Sequence, residues 1–203
     1  MITERLNAEH DADLSRAAEL LRDGAVIAFP TETVYGLGVR ADDPDAVARL
    51  RALKKRDPDK PFSLLIADPP DAARHAVVSP AAATLARTFW PGPLTMVLPA
   101  AGGGSVGLRC PDCSATRAIL RLADVAAAAP SANESGGPPA TSAEQVLEVF
   151  DGRIAAVVDG GPVRLGHSST VIRLTRGRVE VLRQGGLHES SILEALRHAG
   201  QGG

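Results

Sequence analysis

Aromatic side chains are scarce in this sequence: one Tyr, one Trp and four Phe, 3% of 203 residues. The interior must therefore be filled largely by Ala, Val and Leu, which an ordinary apolar share of 44% can supply. A large excess of either charge is missing too. The formal net charge is −2, so no global positive field advertises a nucleic-acid binder, although basic residues cluster locally at 49–60. Two cysteines are too few for a disulfide scaffold. No apolar run of about 18 residues escapes interruption by Pro, Gly or charge, so no helical membrane span is expected. The N-terminal "MITERLNAEHDADL" lacks the apolar core of a signal peptide. These absences predict a soluble, cytoplasmic chain with no membrane partner.

Several familiar motifs are also missing. There is no G-x-x-x-x-G-K-[ST] phosphate cradle. "GLG" at 36–38 lacks a third glycine three residues on, and no helical pattern opens there, so the dinucleotide fingerprint is absent. "GGGSVG" (102–107) runs into strand-like "LRC" and reads as a turn. No G-x-S-x-G occurs. Cys110 and Cys113 form one C-x-x-C, but a zinc site needs four ligands and nothing else supplies them. No metal ligands are assigned, and the two thiols read as incidental.

Fifteen prolines and twenty glycines are dispersed, marking tight turns rather than disorder. The length suits one large domain. Asp11 or Asp13 can cap a helix over 13–22 that ends at Gly24, and "AVIAF" (25–29) follows as a buried strand. Asp43 as N-cap and Pro44 at the first helical position open a helix over 43–55. Further strands are predicted at 62–67, 94–98, 105–109, 125–130, 155–161, 169–175 and 178–184. Further helices are predicted near 70–76, 80–89, 114–124, 142–150 (capped by Ser142) and 189–199. The last two strands read as a hairpin turning at Arg176-Gly177. Strand and helix alternate early and strands gather late, which predicts a single α/β domain with a mixed sheet.

Against this background "PTETVYGLG" (30–38) stands out, because a strand end needs no proline, two threonines, a glutamate and the chain's one tyrosine. Two other segments carry chemistry. In "RLRALKKRDPDKPF" (49–62), Lys54, Arg56 and Lys60 straddle a helix end. Positions two apart diverge on a helix, but past its end Lys54 and Arg56 can converge on one anion. The bland alternative is that cations simply favour helix C-termini. "APSANESGGPPAT" (129–141) offers the hydroxyls of Ser131, Ser135 and Thr141, the amide of Asn133 and exposed backbone N–H groups. Arg109 and Arg183 each follow an apolar stretch and can add cations to the same rim.

These pieces, together with "WPGPLTMVL" (90–98), "GLRCP" (107–111), "STVI" (169–172) and "LRQGG" (182–186), stand in the order of the YrdC family. The chain resembles that family, and specifically its threonylcarbamoyl-AMP synthases, over roughly residues 15–186. The resemblance implies one twisted α/β domain, spanning 1–203 with its final helix near 189–199, and a large, positively lined groove. It also implies a reaction. L-threonine and bicarbonate give N-carboxythreonine, whose carboxylate attacks the α-phosphate of ATP, with Mg²⁺ accompanying the nucleotide. Pyrophosphate leaves. Threonylcarbamoyl-AMP then passes to a tRNA-modifying threonylcarbamoyl transferase complex, and contact with tRNA itself is conceivable.

By position, Lys54, Arg56, Ser131 and Asn133 match the family's characteristic tetrad. Arg56, Lys60, Ser105, Asn133, Thr141 and Arg183 match ATP-side positions. Thr33, Tyr35, Arg109, Ser131 and Ser169 match threonine-side positions, with Arg109 set to pair with the threonine carboxylate and Tyr35 to wall the pocket. Three residues depart from the pattern. Asp57 replaces a proline after Lys-x-Arg, Cys113 a histidine common after "R-x-P-x", and Leu65 a histidine of long-form members. The sequence stops near 203, so a short form without the extra C-terminal domain is the expectation. Two rival readings are an RNA-binding protein of the same fold without synthase activity, and a module serving another carbamoyl acceptor.

Overall fold

The computed structural model describes residues 2–134, 136–175 and 178–200; the expected hairpin turn at Arg176-Gly177 and the Ser135 hydroxyl lie outside these. Ten strands form one mixed sheet in the order β1-β8-β2-β3-β7-β4-β6-β5-β9-β10. They are β1 (Glu4–Asn7), β2 (Ile27–Phe29), β3 (Gly36–Arg40), β4 (Leu64–Leu65), β5 (Leu94–Pro99), β6 (Ser105–Arg109), β7 (Ala127–Ala128), β8 (Ala156–Asp159), β9 (Thr170–Thr175) and β10 (Arg178–Arg183). Six helices flank it: α1 (Asp11–Arg22), α2 (Pro44–Lys54), α3 (Pro80–Phe89), α4 (Ser114–Ala123), α5 (Ala143–Phe150) and α6 (Glu189–Gly200). A 3₁₀ helix spans Pro69–Arg74, where an ordinary helix was expected at 70–76. No helix among the described residues is long and apolar enough to cross a membrane.

The pleat of the strands explains how helices cover both faces. Successive side chains point to opposite sides. Ile27, Phe29, Ala156 and Val158 thus join a core with α1 and α4, around Leu14, Leu21, Ile119 and Leu120. Ala28 and Val157 face the other way, toward Leu50 of α2 and Phe150 of α5. A third core lies between α3, α6 and the β5–β9 region, built on Leu85, Ile192, Met96 and Ile172. Small aliphatics dominate all three, and the few aromatics serve as anchors: Phe29 and Tyr35 are fully buried.

Local signals account for α2 and α5. The Asp43 carboxylate accepts from the amides of Asp45 and Ala46 at 2.9 and 3.0 Å, with Pro44 in the first turn. Ser142 caps α5. The expected cap of α1 is corrected: His10 occupies the N-cap without a side-chain bond, and α1 starts at Asp11. Asp13 instead accepts from the Asn7 amide at 2.7 Å, tying α1 to β1.

Two strands have no counterpart in the sequence reading. β1 is an edge strand that buries only Leu6, so it shows no apolar alternation. β3 reads Gly-Leu-Gly-Val-Arg because it lies across the Phe29 ring. A Cβ on Gly38 would sit 2.4 and 2.7 Å from Phe29 ring carbons. The "GLG" is therefore a packing device in a strand antiparallel to β2.

Candidate active site

Four cations line one cavity of about 200 Å³: Lys54, Arg56, Arg109 and Arg183, with Ser131, Asn133, Thr95, Ser169, Phe62 and Leu65 among the other walls. Among the described residues no carboxylate lines it. It is a compact cavity rather than the large groove that the resemblance implies. A larger depression, about 870 Å³, opens beyond the carboxyl ends of β1, β8 and β2. Its arginines are neutralised, Arg5 by Asp159 and Glu144, and Arg164 by Asp112. The smaller cavity is therefore the place where an anion meets cations without a carboxylate partner among the described residues, Lys54, Arg56 and Arg183, beside an Arg109 that is paired with Glu32.

The backbone brings Lys54 and Arg56 to the same wall. Lys54 ends α2, and Lys55 adopts left-handed φ 48, which breaks the helical spacing before Arg56. Lys54 is 5% exposed. Its ammonium donates to the Ser131 carbonyl at 2.8 Å, to the Asn133 side-chain oxygen at 3.0 Å and to the Asn133 carbonyl. All three protons of a lysine are thus committed to the 131–133 loop. Burial, and then the nearby Arg56 charge, pull Lys54 down to about 8 from 10.5. Arg56 is held by its own loop, donating to the Lys60 and Pro61 carbonyls at 3.1 Å, with its guanidinium 5.1 Å above the Phe62 ring. The Asp57 carboxylate turns away to accept from the Asp59 amide at 3.0 Å. Its charge still bears on Arg56, opposing the lowering of that arginine by burial and by the Arg51 charge.

Strand β3 and its approach zip the two polar loops together. Ala132 donates to the Tyr35 carbonyl, Tyr35 to the Ala140 carbonyl and Leu37 to the Pro130 carbonyl, all at 2.8–2.9 Å. Within the loop, Ser131 donates to the Asn133 side-chain oxygen at 2.6 Å, and the Asn133 amide nitrogen donates to the Glu134 and Gly137 carbonyls. Across the cavity, Arg183 donates to the Ser169 carbonyl at 2.9 Å, and the Ser169 and Thr95 hydroxyls lie 2.8 Å apart. Burial, then the charges of Arg109 and Arg56, lower Arg183.

Arg109 closes β6 and is buried. Its Nε donates to the Gly92 carbonyl at 3.2 Å, and its Nη2 to the Glu32 carboxylate at 2.7 Å and the Thr33 hydroxyl at 2.8 Å. The Thr31 hydroxyl donates to the Val34 carbonyl at 2.6 Å, so in the 2.8 Å Thr31–Thr33 pair Thr33 must be the donor. The chain of protons therefore runs from Arg109 through Thr33 and Thr31 to a carbonyl. Thr33 is fully buried and its one proton is spoken for.

The cavity gathers Lys54, Arg56, Arg109, Ser131, Asn133, Ser169 and Arg183 of the expected residues, and leaves out the rest. Thr33 reaches it only through Arg109. Tyr35 does not wall it. Its ring is buried against Leu37 and Phe150, and its hydroxyl donates to the Gly161 carbonyl at 2.8 Å and accepts from the Gly160 amide. That burial pushes the phenol up to about 12. Lys60 and Ser105 are exposed outside the cavity, and the Thr141 hydroxyl donates to Gln145. Cys113 borders the larger depression, Leu65 lines the smaller one, and both cysteines are free thiols. The sequence reading missed Thr95 and Glu32. Glu32 was visible as the one acid in the polar stretch after the buried strand, but its burial was not.

The family model Sua5/YciO/YrdC, whose description reads telomere recombination, matches residues 19–185. A threonylcarbamoyl-AMP synthase of Bacillus subtilis (strain 168) is 41% identical over 204 residues, covering 94% of this chain and 58% of its own length. One from Pyrococcus abyssi (strain GE5 / Orsay) is 44% identical over 190 residues, covering 89% of this chain and 56% of its own. The chain thus spans less than two thirds of either relative. The crystal structure of P. abyssi Sua5 complexed with L-threonine superimposes with a TM-score of 0.90 at 39% identity, covering 96% of this chain and 61% of that one.

Proposed function

The chain belongs to the Sua5/YciO/YrdC family, and on that premise we propose that it is an L-threonylcarbamoyladenylate synthase, making threonylcarbamoyl-AMP and pyrophosphate from L-threonine, bicarbonate and ATP. The observation that carries this reading is the gathering of Lys54, Arg56, Arg109 and Arg183 around one carboxylate-free cavity, beside Ser131 and Asn133. In this reading Arg109 takes the threonine carboxylate through Nη1, which has no hydrogen-bond partner among the described residues. A cavity of about 200 Å³ suits a small amino acid, since nucleotide-sized ligands ordinarily need more room, about 300–1,000 Å³. ATP would then extend past the mouth toward Lys60, Ser105 and Thr141.

The chemistry asks for positioning and charge stabilisation. Bicarbonate and the threonine amine condense to N-carboxythreonine with loss of water. Its new carboxylate oxygen bonds to the α-phosphorus, and the bond to the bridging oxygen breaks as pyrophosphate departs. Substitution at phosphorus needs little covalent help from the protein. Fixed cations aimed at developing charge in a sheltered site lower the barrier, the role assigned to Lys54, Arg56 and Arg183. Ser131 and Asn133 hold Lys54 in place through their oxygens. Mg²⁺ enters as part of the ATP substrate, held by phosphate oxygens and water. Among the described residues no group of three or more His, Cys, Asp or Glu is placed to hold a metal ion. The product would be consumed in the cytoplasm by a threonylcarbamoyl transferase complex acting on tRNA.

The test is pyrophosphate release by the purified protein with ATP and Mg²⁺, omitting L-threonine and bicarbonate in turn. Release that needs both supports the reading. Release that needs neither, or binding of RNA without turnover, overturns it.

A further inference from the structure

We propose that Glu32 is a positioning residue for amino-acid binding: it clamps one edge of Arg109 so that the Nη1 edge faces the cavity. The proposal rests on the synthase reading for the identity of the amino acid and for the contact of its carboxylate with Arg109.

The argument begins with the geometry of the pair. Glu32 and Arg109 are both buried, with side chains 1% and 8% exposed, and meet at 2.7 Å. A guanidinium beside a carboxylate ordinarily binds bidentately, two parallel N–H groups to two oxygens, because that is the stronger arrangement. Here only Nη2 meets Glu32, through Oε2, and the same nitrogen also serves Thr33. Glu32 Oε1 is left buried without a partner among the described residues. An unsatisfied buried acceptor is destabilising, so a pair serving stability alone would be expected to rotate and use both oxygens. The observed one-sided pairing instead holds Nε and Nη2 at Gly92, Glu32 and Thr33, and leaves the two Nη1 protons without a partner among the described residues. Arg109 lines the cavity while Glu32 does not. The acid therefore works from behind, and it also offsets a charge that already bears on Arg183. Nothing else charged touches the Arg109 guanidinium among the described residues.

The experiment measures binding of L-threonine and of ATP separately, by calorimetry, to wild type, E32A and E32Q. The amide oxygen of E32Q can still accept from Nη2 and keep the aim, whereas E32A cannot. The expected result is threonine affinity weakened roughly 30-fold in E32A, equivalent to about 2 kcal/mol. In E32Q it should stay within about fivefold of wild type, and ATP affinity should stay within about twofold in both. Threonine affinity in E32A within threefold of wild type overturns the proposal. So does an E32Q as weak as E32A, or a parallel loss of ATP affinity. If E32A does not fold, E32D decides: its shorter carboxylate draws Nη2 back from the observed contact, so threonine affinity should fall at least about tenfold, and a value within about threefold of wild type overturns the proposal. If wild type itself fails to bind L-threonine, the synthase reading falls while Glu32 is still judged by nuclear magnetic resonance. A slow-exchanging Arg109 Nη2–H signal, retained in E32Q and lost in E32A, supports the clamp; retained in E32A, it refutes it.

Discussion

Replacing Lys54 by methionine tests whether this buried cation serves the chemistry or the fold. The side chain is 5% exposed and its ammonium holds the 131–133 loop through three oxygens. Two effects oppose each other on removal. The fall of its pKa from 10.5 to about 8 corresponds to roughly 3 kcal/mol of penalty for keeping the charge buried, and K54M relieves it. Against that, the Ser131 and Asn133 carbonyls lose a charged donor worth about 1.5–3 kcal/mol each, while Asn133 Oδ1 keeps the Ser131 hydroxyl. The difference is about 0–3 kcal/mol, so Tm should fall by no more than about 10 °C for a chain of this size. Activity should respond far more, because K54M removes a fixed charge at the cavity and the anchor of the Ser131–Asn133 loop, and loss of one preorganised electrostatic group typically reduces kcat by about 10²–10³.

The assay pairs calorimetric melting with pyrophosphate release. A K54M enzyme with more than a tenth of wild-type turnover would refute the assigned role, and a Tm drop beyond about 20 °C would refute the offset. The pH dependence has a definite sign. Above about pH 8 the folded protein loses the Lys54 proton that the unfolded chain keeps to 10.5. Across that window the unfolded state binds more protons, so wild-type stability rises relative to K54M. Activity should fall over the same window as the charge disappears, and K54R should lack that limb.

Two further substitutions separate packing from chemistry. G38A forces a methyl against the buried Phe29 ring, an overpacking of about 1–3 kcal/mol, and should lower Tm by several degrees; an unchanged melt would refute the glycine argument. Combining G38A with F29L should recover part of that loss, since the two sites are in contact. Y35F leaves the Gly161 carbonyl and Gly160 amide without their phenol partner, a loss of about 1–3 kcal/mol. It should leave the Kd for L-threonine unchanged, and a threonine affinity weakened tenfold would return Tyr35 to the pocket wall.

Reading the fold from the sequence worked where the signal was local. The Asp43-Pro44 start of α2 and the Ser142 start of α5 depend only on neighbouring backbone amides, and both caps formed as expected. The α/β class and the mixed sheet followed from the order of periodic segments. It failed where a strand carries no periodicity of its own. β1 is polar because it lies at a sheet edge, and β3 is glycine-rich because Phe29 occupies the space its side chains would need. At the site, motif order alone led to Lys54, Arg56, Arg109, Ser131, Asn133, Ser169 and Arg183, and these do share one cavity.

Thr33, Tyr35 and Glu32 show where that reasoning stops. All three lie in one short motif, yet Tyr35 faces the core, Thr33 hands its proton to Thr31, and Glu32 grips Arg109 from 77 residues away. The sequence by itself determined the caps of α2 and α5, the alternation of strands and helices and the set of residues able to meet an anion, because each follows from neighbours along the chain. Only the tertiary structure decided which of them face the cavity, which acid is buried and which N–H groups are left for a ligand. Burial and hydrogen-bond direction belong to contacts between distant segments, and those exist only once the sheet has formed.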